Sequence, residues 1–432
     1  MKLKHLSTAM VLATLPATGV FAAALDRSGQ SISAFLQPGN YFEAGISVLD
    51  PNVSGKVRNG YTPNAALPAS SAGLQNTSVG EMAGDYYFPS AALKLQVTDN
   101  FSFGLIYDQP FGSEVEYSTG TQKTTALPGP LAPLGNQGAF HNGTEGTSAE
   151  VKSQSISMLF GYQPTENFNF YAGPVYQTVE GDVQLRGLAY GGSTAFGGYN
   201  ASIKETGDIG WLAGAAFQIP DIALKASVTY RSEIKHKVNI DESSAGAGPI
   251  AAILNNATGS TDITTPQSVN LDLQTGIMAN TVAFANVRWV NWKDFAIRPY
   301  AFGIASNIAG ASPTINKPNG FDLVAYTDDQ WSINTGIGRK LNDQWAGNVS
   351  VGWDSGAGNP VTTFGPTEGY WNLGLGVQYS PTPATFIAGG VKYFWLGDAK
   401  GQSGSQFNTP GYVADFKNND AIAYGLKMGY KF

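Results

Sequence analysis

The chain contains no cysteine among its 432 residues. That excludes a disulfide framework, a thiolate nucleophile and a cysteine metal site. Charge is scarce as well: 13% of the residues are charged, against roughly 25% in a soluble domain. Something other than charge must therefore reconcile its surface with its solvent. No stretch beyond the N-terminus reaches the roughly eighteen apolar residues a membrane helix requires, which excludes a helical inner-membrane protein. The three histidines, His5, His141 and His236, form no metal-ligand or triad spacing, and neither a P-loop nor a dinucleotide fingerprint occurs. The expectation is no enzyme, no metal and no cofactor. A formal net charge of −7, which becomes −9 if a leader carrying Lys2 and Lys4 is removed, argues against nucleic acid as a partner.

What is abundant is glycine, at 53, and aromatic residues, with 20 Tyr, 23 Phe and 8 Trp. The last twelve residues show how they are used: Ile422, Tyr424, Leu426, Met428, Tyr430 and Phe432 alternate with Ala421, Ala423, Gly425, Lys427, Gly429 and Lys431. One face suits lipid and the other a lumen, as in a strand of a Gram-negative outer-membrane barrel. The opposite end fits the same address. Lys2, Lys4 and His5 precede an apolar run from Leu6 to Leu15 and small residues near Ala22 to Ala24, the pattern of an export signal too short to span a bilayer. The expected division is a signal at 1–22, a short hatch-like segment at 23–40 and a barrel over 41–432.

A tilted crossing needs about nine to eleven residues. Fourteen alternating stretches of that kind occur, near 41–55, 87–98, 101–117, 151–162, 168–185, 205–219, 221–238, 267–279, 281–293, 327–340, 344–355, 369–380, 384–396 and 419–432. An even count brings the last strand back beside the first, as antiparallel closure requires. Their connections alternate between six tight turns, such as Thr98-Asp99-Asn100, and seven long links rich in Gly, Asn, Ser, Thr and Pro. Short periplasmic turns and long extracellular loops have that asymmetry. The segment from Phe295 to Gly303 is left outside the count, since including it would make the total odd. The fold class is thus an all-β transmembrane antiparallel barrel of fourteen strands with a plug-like N-terminal segment.

Facing is clear where alternation is clean. Trp371, Leu373, Leu375, Val377 and Tyr379 are assigned to lipid, as are Trp345, Val349, Val351 and Trp353. The strands at 168–185 and 281–293 carry apolar residues on both faces and stay open. The strand from Asp221 places Lys225, Ser227, Thr229, Arg231, Glu233, Lys235 and Lys237 on one face. Cations at the bilayer midplane cost roughly 2–4 kcal/mol each, so this face is assigned to the lumen, either to attract an anionic head group or to neutralise facing carboxylates. His236 then falls on the lipid side, near the rim.

Several stretches carry a resemblance: Gly39-Asn40-Tyr41-Phe42-Glu43 with Asp50-Pro51-Asn52-Val53-Ser54-Gly55, the run Phe103 to Gly112, Tyr230-Arg231-Ser232-Glu233-Ile234-Lys235-His236-Lys237, and Trp289-Val290-Asn291-Trp292. On these the mature chain resembles the FadL/OmpP1/TodX family of outer-membrane long-chain fatty acid and hydrophobic-compound transporters. The resemblance implies a barrel with an N-terminal hatch, an apolar landing site outside, and a third-strand kink that opens the wall sideways. Pro110, Phe111 and Gly112 occupy the kink position, where proline also removes a ladder donor and glycine weakens pairing. The resemblance further implies a basic residue after the fifth strand at the cargo carboxylate, here Arg186. The family's Asn-Pro-Ala hatch element is absent, and only about fifteen residues separate the cleavage site from Gly39, with Phe35 and Leu36 remaining.

The expected function is passive transport of long-chain fatty acids or other hydrophobic compounds across the outer membrane, with lateral exit at the kink. The alternative is a general or aromatic-compound diffusion porin. Cargo contacts are expected from Arg186, Lys225, Arg231, Lys235, Phe35 and Leu36. Expected partners are hydrophobic small molecules, lipopolysaccharide and outer-membrane lipids, and the barrel assembly machinery, around a monomer.

Overall fold

A computed structural model describes residues 24–62, 72–119, 123–126 and 136–432. The expected signal at 1–22 lies outside them. Fourteen antiparallel strands form one closed sheet. In chain order they are β1 (Tyr41–Asn52), β2 (Tyr86–Gln96), β3 (Phe101–Asp108 and Gly112–Glu116), β4 (Ser148–Tyr162) and β5 (Phe168–Gln184). Then come β6 (Tyr199–Ile219), β7 (Leu224–Arg231 and Ile234–Ser244), β8 (Ser260–Thr265 and Ser268–Met278), β9 (Thr281–Val290) and β10 (Gln330–Lys340). The last four are β11 (Trp345–Asp354), β12 (Tyr370–Tyr379), β13 (Thr385–Leu396) and β14 (Asp420–Lys431). Closure is an unbroken ladder from Tyr41↔Lys431 to Asn52↔Asp420. With every strand paired on both sides, no row of backbone N–H and C=O groups is presented to hydrocarbon along the intact ladders.

Alternation sets the two faces as expected. Trp371, Leu373, Leu375 and Val377 are exposed on the outside, and so are Ile422, Tyr424, Leu426, Met428, Tyr430 and Phe432. The two strands left open resolve the same way. In β5, Phe168, Phe170 and Tyr176 face out while Tyr171 and Val175 are buried inside; in β9, Val282, Phe284, Arg288 and Val290 are buried inside. The second apolar face of these strands packs inward.

The tight turns lie where the sequence puts them, and Asn280, at φ 59°, supplies the left-handed residue of the two-residue β8–β9 turn. The loop ends extend further than hydropathy suggests. β6 begins at 199, β7 continues to 244 and β8 starts at 260, because strands leaving the membrane no longer need an apolar outer face. Phe295 to Gly303 is no barrel strand: Ala296–Ile297 forms a two-residue bridge, and Tyr300–Gly310 is helix α2, following helix α1 at Pro249–Asn256. Over the loops, Ser54–Val57, Ser78–Glu81, Val361–Thr362, Ala399–Gln402 and Ala414–Phe416 join into a five-stranded cap sheet.

Residues 24–40 fold into the lumen as a short plug. Phe35 is buried with its ring edge-on to Tyr171 at 5.8 Å. Glycine makes its seat: a Cβ at Gly104 would lie 2.4 Å from the Phe35 ring, and one at Gly161 2.9 Å away.

Candidate cargo pathway

The third strand parts where proline and glycine fall. The β2–β3 ladder ends at Ala91↔Tyr107, although Tyr86 to Ser90 remain paired to β1 on their other side. The plug fills the inner edge of this break: the Arg27 N–H donates to the Pro110 carbonyl (2.7 Å), and the Gly112 N–H donates to that of Leu25 (2.8 Å). The Arg27 guanidinium lies 3.8 Å from the Tyr86 ring centroid and its Nε donates to the Gly112 carbonyl. Pro110 cannot donate to a ladder, but its carbonyl still accepts, so the kink is a docking edge for the plug.

A buried ion pair anchors the plug from the opposite wall. Asp26 meets Arg288 of β9 at 2.6 Å, both side chains being almost wholly buried. Arg288 also donates to Asn270 Oδ1 (2.7 Å) and Gln30 Oε1 (3.0 Å), and Arg231 of β7 donates to the Gln30 carbonyl (3.1 Å) and Ser157 Oγ (3.2 Å). Buried charges paired and hydrogen-bonded in this way fix the position of the plug.

Between plug, kink and far wall lies a small apolar cavity of 40 Å³, lined chiefly by Leu25, Phe111, Val151, Val179, Ile203, Ile263 and Trp292. Phe111 meets Trp292 edge to face at 5.5 Å. A larger cavity of 720 Å³ opens among the loops, walled by Leu185, Leu188, Phe196, Ile250, Phe302, Ile308, Phe321 and Leu323. Both helices supply its walls. No charged side chain lines it among the described residues. Below the plug, a polar cavity of 490 Å³ contains Leu36, Lys94, Glu166 and Lys225.

The predicted site residues separate over these places. Phe111 joins Leu25 and Trp292 at the inner cavity, with Pro110 and Gly112 at the docking edge. Arg231 faces the lumen but grips the plug, and Lys225 donates to the Leu36 carbonyl at 2.8 Å below it. Arg186 is buried: Nε pairs with Glu145 (2.7 Å), Nη1 donates to the Leu185 and Tyr199 carbonyls, and Nη2 donates to Asn200 Oδ1. Four of its donors therefore hold the loop rim together. Lys235 corrects the single-face reading of β7. The strand breaks at Ser232-Glu233 and its facing swaps there, so Lys235 points outward to Asp262 (2.8 Å), and His236 turns inward and is fully buried.

Sequence reasoning missed Asp26, Gln30 and Arg288, and every loop residue of the outer cavity. Arg288 left a usable signal, the one cation in β9, in the same register as Val282, Phe284 and Val290.

Residues 135–432 match the family described as outer membrane protein transport protein (OMPP1/FadL/TodX). Among solved structures, the chain is similar to a Pseudomonas aeruginosa FadL homologue at 15% identity and a TM-score of 0.66, covering 93% of this chain and 92% of that one. It is also similar to the Pseudomonas putida toluene transporter TodX at 14% identity and a TM-score of 0.57, covering 92% and 91%. For the Ralstonia pickettii toluene transporter TbuX the values are 12%, 0.54, and 95% of each chain. No curated protein sequence matches the chain.

Proposed function

The chain belongs to the OMPP1/FadL/TodX family and is a passive, non-enzymatic channel for hydrophobic compounds across the outer membrane; we propose that its cargo is neutral and small, a monoaromatic hydrocarbon in preference to a long-chain fatty acid. The observation that carries this reading is the outer cavity, which offers aromatic and aliphatic walls and, among the described residues, no cation for a carboxylate. The nearby Arg186 is committed to Glu145 and three further acceptors. The solved relatives named for toluene transport agree in cargo class with this choice.

Burying about 150 Å² of an aromatic molecule at roughly 25 cal/mol/Å² gains about 4 kcal/mol, equivalent to a dissociation constant near 1 mM. Such binding concentrates a solute from dilute water yet releases it quickly. From the outer cavity the solute passes to the small chamber behind Phe111, and the gap between β2 and β3 returns it sideways to hydrocarbon. Arg27 and Leu25 must yield for that last step, so the plug is the gate.

The test is a titration of purified barrel, followed by tryptophan fluorescence, with toluene, oleate and oleyl alcohol, paired with uptake by deletion and complemented strains. Toluene is expected to saturate the signal and to depend on the protein for uptake. Oleate binding that is tighter than oleyl alcohol binding, together with oleate-dependent uptake, would restore the fatty acid reading.

A further inference from the structure

The barrel wall parts a second time. β6 pairs with β7 over residues 212–219↔231–224 and again over 199–203↔244–240, in one continuous register. Between them, residues 204–211 and 232–239 form no ladder among the described residues. Because the register is conserved across the gap, the strands separate here without slipping. At about 3.3 Å per residue the interval is about 26 Å long. It runs from Trp211, whose carbonyl accepts from the Ser232 N–H (2.9 Å), toward the loops.

The upper parts of β7 and β8 behave as a flap. They pair with each other over Ile234↔Thr265 to Asn239↔Ser260, and each is interrupted at the same level, by Ser232-Glu233 and by Pro266-Gln267. Proline at 266 can donate no ladder bond there. Above the Ser232–Trp211 bond, side chains hold the flap against β6 and β5. A Cβ at Gly210 would lie 2.5 Å from Ile234 Cγ1, so the glycine is what lets Ile234 seat. His236 Nε2 meets Gln177 Oε1 at 3.1 Å, while Nδ1 faces Asp208 at 3.6 Å without a hydrogen bond.

The seam is apolar at its membrane end and charged above it, where Lys204 pairs with Asp241 and Lys235 with Asp262. Outside, Ile209 is 72% exposed beside Trp211. Inside, Ile203, Ile263 and Thr265 line the small cavity behind the kink. The flap also reaches the loop cavity: Glu242 accepts the N–H groups of Ala301 (2.7 Å) and Phe302 (2.8 Å), pinning the start of α2.

We propose that the β6–β7 seam is a second lateral passage, an inlet at the outer surface of the membrane for neutral apolar solutes already dissolved in the outer leaflet. It delivers them to the inner chamber without a stay in the loop cavity. The flap swings on Ser232-Glu233 and Pro266-Gln267, and Glu242 transmits its movement to α2. This inference rests on the reading of the barrel as a channel for neutral hydrophobic compounds.

The chain has no native cysteine, so Gly210→Cys with Ile234→Cys gives one thiol pair across the seam, at the contact where a Gly210 Cβ would lie 2.5 Å from Ile234 Cγ1. A control pair, Val351→Cys with Leu373→Cys, spans an intact ladder position of β11 and β12. Labelled toluene uptake is measured in complemented deletion cells, oxidised and then reduced. Oxidation of the seam pair is expected to remove a large share of the uptake and reduction to return it, with the control pair indifferent. Equal uptake by the oxidised and reduced seam pair overturns the inlet. Failure of even the unaltered protein to exceed the deletion strain overturns the cargo reading instead. Should the seam pair not fold, hydrogen exchange on the unaltered protein decides: amides of 204–211 directed at β7 should exchange at least about tenfold faster than those of the β12–β13 ladder, and equal protection rejects a parting seam.

Discussion

The arc of wall from β9 through β14 to β1 has continuous pairing from strand to strand, whereas the arc from β2 to β8 is interrupted in β3, β7 and β8. The sequences differ accordingly. In the continuous arc one lipid-facing row follows another, Trp345 to Trp353, Trp371 to Val377, Ile422 to Phe432. In the interrupted arc Pro110, Gly112, Ser232, Glu233 and Pro266 stand where a ladder would run. A barrel needs a complete hydrogen-bond network only where its wall faces hydrocarbon with nothing behind it. Where a plug, a flap or a packed side chain can satisfy the freed groups, the wall can part.

The largest effect should come from unhooking the plug from the continuous arc. Asp26→Ala leaves Arg288 buried without its partner, a loss of the kind that costs about 3–5 kcal/mol. Because the plug occupies the lumen, planar-bilayer recordings should show a higher and noisier ion conductance than the unaltered protein, with the barrel still heat-modifiable. Unchanged conductance would mean that the remaining contacts of Gln30 and Arg27 hold the plug alone.

Restoring the third strand should make the interrupted arc resemble the continuous one. Pro110→Thr supplies the missing donor, and Gly112→Ala adds a Cβ that would lie 3.0 Å from the Val151 carbonyl oxygen and 3.5 Å from Arg27 Nε. The double variant should lower toluene uptake severalfold while folding normally. Full uptake by well-folded protein would move the exit elsewhere.

A smaller and differently patterned effect is expected at Arg186. Arg186→Ala should weaken toluene and oleate binding together, by about 1–2 kcal/mol, because it loosens Leu185 and the rim of the outer cavity. Selective loss of oleate would instead assign the guanidinium to a carboxylate.

The smallest effect is a pH dependence confined to the loops. Burial, reinforced by Asp328 and Asp354, pushes the Glu368 carboxyl up to about 7. A raised carboxyl favours the fold while it holds its proton, and that contribution is lost as pH rises from about 4.5 through about 7. Glu368→Gln should therefore raise the melting temperature modestly at pH 8 and leave it unchanged at pH 4, in thermal scans of detergent-solubilised protein.

Barrel class, strand number and the facing of the clean strands were legible because lipid imposes a strict period of two and a fixed span. Legibility stopped at the breaks. The period was carried straight through Ser232-Glu233, which put Lys235 inside and His236 outside, since nothing local announces that a strand will swap faces. The hatch-like segment at 23–40 offered Phe35 and Leu36 to the eye, but its anchor was hidden: Asp26 and Arg288 meet from positions 262 residues apart, a contact no local pattern encodes. The interruption of the third strand between Asp108 and Gly112 was legible at Pro110 because proline acts on the backbone at its own position.

The cap sheet changes how the barrel's ends are held. Gly55↔Phe416 to Val57↔Ala414 extend the β1–β14 closure into the loops, and Ser54 donates its N–H to Asn419 Oδ1 (3.0 Å) between the two ladders. The join with the greatest chain separation is therefore stitched above the membrane as well as within it. A barrel that zips shut last at this join would gain those outer stitches only after its final strands have met, so the cap acts as a clasp that completes the ring from the cell's exterior.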